Sequence, residues 1–168
     1  MPQPDRVTDV TSDRVARLSA THSVELDPAA ACRRLEAPDW LGTVVESSRF
    51  DRHRYLTDLA FPVSQGSRTL LFRKATYVDL GPARTLPGGC EVEIEWSSSS
   101  LAPLFPVFAG LLRINPSGLS LTGLYTPPLG GVGLLIDGAL LHFVARRTAR
   151  WFLEMLAGEL SPPELPRR

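Results

Sequence analysis

The sequence predicts an α+β domain in which a curved antiparallel β-sheet wraps around one long C-terminal helix. Three observations carry this. Between Arg54 and Tyr125 short segments of alternating polarity succeed one another, separated by Pro/Gly/Asn/Ser turn signals. From Val132 to Gly158 there is no proline and apolar residues recur at helical spacing. Strands and helices do not alternate along the chain, which disfavours a parallel βαβ architecture. With 168 residues the chain is long enough for one domain with a sizeable core.

Taken in order, residues 1–14 are polar and without period, and read as a loose tail. Arg14 to Leu26 alternates, with Leu18, Ala20, His22, Val24 and Leu26 on one side, and predicts a half-buried strand. Asp27-Pro28 is a helix start, an aspartate cap followed by proline in the first turn. The short helix runs through Cys32 and Leu35 and ends at Pro38. Trp40, Leu41, Val44 and Val45 fit either a second short helix or the start of a strand, because the run is too short for its period to decide.

Strands are then expected at Arg54–Phe61 and Arg68–Asp79, joined by a turn at residues 64–67, and a Gly/Pro loop at residues 81–89. Cys90–Trp96 has the clearest alternation: Cys90, Val92, Ile94 and Trp96 inward, Glu91, Glu93 and Glu95 outward as a solvated face. Val107–Ile114 and Leu119–Tyr125 follow, the latter with Leu119, Leu121, Gly123 and Tyr125 inward. A Pro/Gly corner leads into the long helix, roughly 40 Å at 1.5 Å per residue. Projected at 100° per residue, Leu134, Leu141, Val144, Ala145, Thr148, Trp151, Phe152, Met155 and Leu156 share one face. Arg146, Arg147, Arg150 and Glu154 lie opposite, and Gly158 fits a C-terminal cap. The start of the helix, with Ile136, Leu140 and Phe143, is apolar nearly all round and requires a covering loop or a second subunit. Residues 161–168 form a Pro-rich tail, which leaves residues 15–160 as the domain.

Composition excludes several classes. Lys+Arg and Asp+Glu are 18 each, so no net field points to nucleic acid or an anionic membrane. Both longer apolar runs are too short for a membrane span, and no apolar N-terminal leader is present, so the expectation is a cytoplasmic protein without membrane insertion. Cys32 and Cys90 have no metal-type spacing and read as buried reduced thiols, with a disulfide as the minority reading. The three histidines, His22, His53 and His142, also lack ligand spacing, and no phosphate-cradling glycine motif or nucleophile elbow is present. No metal, cofactor or catalytic residue is therefore assigned.

A sheet curled around a single helix leaves space between them, and a cavity for a small hydrophobic or amphipathic molecule is the functional expectation. Its candidate lining is His22, Trp96, Arg113, Tyr125, Leu141, Thr148 and Phe152. His22, Trp96, Tyr125 and Arg113 have plain alternatives: a core histidine, packed aromatic rings and a solvated arginine. His142, at the edge of the helix stripe, is expected to make a boundary hydrogen bond.

The element order resembles that of a known family. Together with the ending Gly-Leu-Tyr-Thr-Pro-Pro-Leu-Gly-Gly-Val-Gly (residues 123–133) ahead of a helix bearing Asp137, it is similar to the helix-grip superfamily. That group holds START-related lipid-transfer domains, plant pathogenesis-related pollen allergens and bacterial polyketide cyclases/aromatases. The resemblance covers about residues 15–160 and implies a helix-grip fold that binds an apolar ligand. It also implies the alternative of a cyclase/aromatase-like enzyme in which His22 or Tyr125 moves protons. A third reading is a protein-interaction module, a homodimer through the start of the C-terminal helix.

Overall fold

The structure is a computed structural model and describes residues 16–37, 40–45, 52–65, 68–99, 107–126 and 138–161. Its elements are β1 (Ala16–Ser23), α1 (Pro28–Glu36), β2 (Thr43–Val45), β3 (His53–Gln65), β4 (Arg68–Leu80), β5 (Arg84–Leu86), β6 (Gly89–Ser98), β7 (Val107–Asn115), β8 (Gly118–Thr126) and α2 (Gly138–Leu160). The strands form one antiparallel sheet of eight in the order β1-β8-β7-β6-β4-β3-β2, with β5 added against β6. The first and last strands are neighbours, so β1 and β2 are the two edges and α1 links them.

One face of the sheet is apolar by strict alternation. Leu18 and Ala20 of β1, Leu119, Leu121 and Tyr125 of β8, Phe108, Leu112 and Ile114 of β7 and all four inward residues of β6 are buried. Val78, Leu80, Tyr55 and Leu59 continue the layer through β4 and β3. Against it α2 buries Ala145, Thr148, Ala149, Phe152, Leu153, Leu156, Ala157 and Leu160. The α2 backbone comes close to β1 and β8 on one flank and to β3 on the other. Among the described residues the central strands β7, β6 and β4 stand further from it. The sheet therefore arches over the helix. Large rings fill the arch: Trp96 stacks on Phe108 with centroids 4.2 Å apart, and Phe152 of α2 lies 5.6 Å from Trp96.

Asp27 caps α1 by accepting the Ala29 N–H at 3.0 Å. The other end is held by the Trp40 indole donating to the Leu35 carbonyl and the Tyr55 hydroxyl donating to the Ala37 carbonyl. The Trp40–Val45 ambiguity resolves as a strand, because Thr43–Val45 pairs in register with Leu56, Tyr55 and Arg54.

Several expectations are corrected. Cys32 and Cys90 are joined in a disulfide with a Cα–Cα distance of 6.3 Å, tying α1 to β6. Sequence spacing could not show this, because the two are brought together by packing across 58 positions. β3 continues through Pro62. Its partner β2 pairs only with Arg54–Leu56, so this part of β3 is an edge, where proline is tolerated. The Gly/Pro loop contains a strand, β5. Leu80 pairs with Ile94 and Arg84 with Glu91, a register slip of one residue, so β4 and β5 are one strand bent at a bulge around Gly81-Pro82-Ala83. The helix runs past Gly158 to Leu160, so that glycine is not its cap. Residues 131–137, where the helix was expected to begin, lie outside the described residues, as do the expected tails 1–14 and 162–168.

The outer glutamates of β6 are not simply solvated. Arg52 donates to Glu93 at 2.7 Å and lies 3.8 Å from Glu95, Arg84 reaches Glu93 at 3.1 Å, and Arg113 pairs with its register neighbour Glu91. On the adjoining strands Arg54 grips buried Asp79 through two bonds of 2.8 Å.

Candidate functional site

The expected cavity lining does not stay together. Trp96 and Phe152 touch each other and close the centre of the arch, so at that point rings occupy the space expected for a ligand. Arg113 is exposed on the outer face, paired with Glu91, and lies on the side of the sheet away from α2. His22 is half-buried on β1 opposite Leu119, near the end of the strand. The side chain of Leu141 is outside the described residues.

Two of the group remain chemically conspicuous. Thr148 is 1% exposed, and among the described residues its hydroxyl has no hydrogen-bond partner. The Trp96 indole N–H, also buried, has none among the described residues either. Both sit in the layer between helix and sheet. A buried polar atom left unpaired costs about 1–3 kcal/mol, so such positions call for an explanation.

Tyr125 is the link to the surface. Its ring is buried at the inner face of β8, and its hydroxyl lies 3.2 Å from Nδ1 of His142 on α2. Burial raises the phenol above its usual range, which keeps it protonated. With Tyr125 donating, Nδ1 accepts and the imidazole proton sits on Nε2. The expected boundary hydrogen bond of His142 is thus made with a residue of the candidate site.

His142 opens onto a groove of about 640 Å³ where the β1–β8–β7 flank meets α2. Its walls are Arg17, Leu18 and Ser19 of β1, Thr122 and Leu124 of β8, Leu111 of β7, and His142 and Arg146 of α2. The floor is the pair Gly110–Gly123, in register on β7 and β8. A Cβ on either glycine would lie 2.7 Å from the tip of the Phe108 ring, closer than any packed carbon tolerates. The glycines therefore let the two backbones lie bare beneath Phe108.

The groove is asymmetric in charge. Among the described residues it has no acidic lining. Arg17 and Arg146 have no acid partner among the described residues, unlike Arg52, Arg54, Arg84 and Arg113. Beyond Leu111 lies its register neighbour Glu93 on β6, which is paired with Arg52 and Arg84. The volume falls within the common range for small-molecule sites.

The residues that build this groove were missed in the sequence because their parity places them outside the core. The available signal was the presence of leucines, Leu111 and Leu124, at outward positions; Leu124 is 49% exposed. Among the described residues no cluster of His, Cys, Asp and Glu could hold a metal ion, and no helix is long and apolar enough to cross a membrane.

Comparison with known proteins adds no relative: no family model, no curated protein and no solved structure matches the chain.

Proposed function

We propose that the chain is a helix-grip domain that binds a small amphipathic molecule with an anionic end, seated in the groove between α2 and the β1–β8–β7 flank. The observation that carries this reading is the pairing of an apolar floor with two arginines that have no acid partner among the described residues. The apolar body of the ligand rests on Leu111 and Leu124, and burying it supplies most of the affinity at about 25 cal/mol per Å². Arg17 and Arg146 meet the anionic end and so set the orientation. The order of strands, the arch over one C-terminal helix and the α1 link between the sheet edges support the helix-grip assignment. The groove lies beside α2 and not within the arch, so the proposed seat is displaced from the cavity that the sequence led one to expect.

The test is calorimetric titration with a medium-chain carboxylate and its matching alcohol, alongside native mass spectrometry of the purified protein. Saturable binding of the carboxylate, weakened about tenfold in Arg17→Gln/Arg146→Gln, supports the reading, since two charge-assisted contacts are worth at least 1.4 kcal/mol together. An affinity unchanged in that double variant, or no saturable binding of either probe, overturns it.

A second reading, a cyclase/aromatase-like enzyme, is favoured by the Tyr125–His142 pair. There the substrate oxygen draws the Tyr125 hydroxyl away from His142, the phenol donates to the developing enolate oxygen, and the freed Nδ1 takes the proton from the enolisable carbon. Turnover of a poly-β-ketone model substrate that persists unchanged in His142→Gln would remove this reading.

A further inference from the structure

The Cys32–Cys90 disulfide is not sealed inside the core. Both cysteines contribute to the wall of a second recess, about 530 Å³, between α1 and the β5–β6 turn. This site is independent of the groove beside α2. Small apolar groups such as Pro28, Ala29 and Ala83 form its sides, and Asp27, Arg33 and Glu36 charge its rim.

The two sulfurs differ in access. Cys90 is 2% exposed on the inner face of β6, whereas Cys32 on α1 is half-buried. A thiolate that attacks a disulfide bonds to the sulfur it reaches and expels the other. Both residues line the recess, and Cys32 is the more exposed of the two, which favours attack at its sulfur. The rim sorts the reactant as well: Arg33 is exposed with no acid partner among the described residues, and Glu36 and Asp27 offer carboxylates on the same opening. A molecule with a carboxylate, an ammonium group and a thiol complements all three features.

The geometry points to a thiol–disulfide exchange site that accepts a small zwitterionic aminothiol of the cysteine type. The aminothiol thiolate forms a new S–S bond to Sγ of Cys32 as the Cys32–Cys90 bond breaks. The bonding pair leaves on Sγ of Cys90, which takes a proton from water. Two electrons are redistributed within the reacting sulfurs, and no external oxidant is consumed. In reverse, the Cys90 thiolate attacks Cys32 and expels the aminothiol, so Cys90 is the resolving residue. The exchange also severs the covalent tie between α1 and β6, leaving the Trp40 and Tyr55 hydrogen bonds at the far end of the helix.

The experiment exposes the oxidised wild-type protein to excess L-cysteine, quenches with acid and locates the adduct by peptide mass mapping. The expected result is one cysteinyl adduct on Cys32 with Cys90 as a free thiol, reversed when the aminothiol is removed. Each rate is normalised to the same thiol's reaction with a simple dialkyl disulfide. L-Cysteine then outpaces mercaptoethanol, and Arg33→Gln slows cysteine alone by about threefold, the scale of one exposed ion pair. In Cys90→Ser, cystine transfers its half to Cys32. An adduct on Cys90, equal normalised rates for the two thiols, no effect of Arg33→Gln, or no adduct short of global unfolding overturns the proposal.

Discussion

Tyr125 and Thr148 show how much a single buried polar atom decides. The phenol of Tyr125 is raised by burial, so the folded state resists its ionisation more than the unfolded chain does. Its contribution is complete below the unfolded value, about 10. Above it the unfolded chain releases the proton first, and stability falls as pH rises toward the folded value. Urea unfolding between pH 8 and 11 is expected to show this loss, and Tyr125→Phe to flatten it while costing about 1 kcal/mol at neutral pH through the lost bond to His142. Thr148 is the opposite case. Its hydroxyl is buried without a partner among the described residues, so Thr148→Val removes an unpaired group of similar volume and is expected to stabilise the ligand-free protein by about 1 kcal/mol. A lower urea midpoint in Thr148→Val would show that the hydroxyl finds a partner in solution.

At the scale of elements, the glycine pair and the disulfide do most to shape the molecule. Gly110 and Gly123 face each other across β7 and β8 beneath the Phe108 ring. In Gly123→Ala the added carbon meets the Ala109 carbonyl and the Gly110 backbone before the Phe108 ring, so β7 and β8 must part there, at an expected cost of about 1–3 kcal/mol, with a change in near-ultraviolet circular dichroism as the Trp96–Phe108 stack shifts. The disulfide closes a long loop between α1 and β6, a separation of 58 residues, and Cys32→Ser is expected to lower stability by about 2–4 kcal/mol in denaturant titration. Hydrogen exchange would then rise first in α1. The long helix keeps one feature unresolved by its own packing. Phe143 is 48% exposed, with the Arg147 guanidinium 5.2 Å from its ring centre, while Ile136 and Leu140, the other members of the expected apolar patch, have no described side chains. The homodimer reading rests on that patch, and sedimentation of wild type against Phe143→Ser tests it: a concentration-dependent dimer lost in the variant supports it, and a wild-type monomer at all concentrations removes it.

For the whole molecule, a cytoplasmic location and a Cys32–Cys90 disulfide stand in opposition, because disulfides persist in oxidising compartments and are rare in the cytosol. The mass of the protein isolated from its native source with thiols blocked at lysis decides between them. The elements themselves were legible wherever a local rule operates. The alternation of β6, the Asp27-Pro28 start of α1 and the buried stripe of α2 from Ala145 to Leu156 all follow from periods of two and 3.6 residues or from a cap. Elements that depend on a neighbour were not legible. Thr43–Val45 is a strand because β3 lies beside it, and Pro62 stays within β3 because β4 alone pairs with it and β2 does not reach that far.

The candidate site divides in the same way. Strand parity placed Trp96 and Tyr125 on the inside, the helical projection placed Thr148 and Phe152 there, and each is buried. Parity cannot say whether two inward side chains touch or leave a space, and Trp96 meets Phe152 where a cavity was expected. Arg113 stood at a strand end with its side undecided; its neighbour across the sheet, Glu91, shows it to be an outer ion pair. The groove brings Arg17, Leu111 and Leu124 together with His142 and Arg146 across three strands and a helix, and no stretch of sequence contains more than two of them. By itself, then, the sequence determined which face of each element is buried, because that depends on the spacing of apolar residues along a few turns or one strand. The tertiary structure alone decided which buried faces meet, where the sheet bends, that Cys32 and Cys90 join, and where an opening remains, because each of these depends on the register and curvature of strands far apart in the chain.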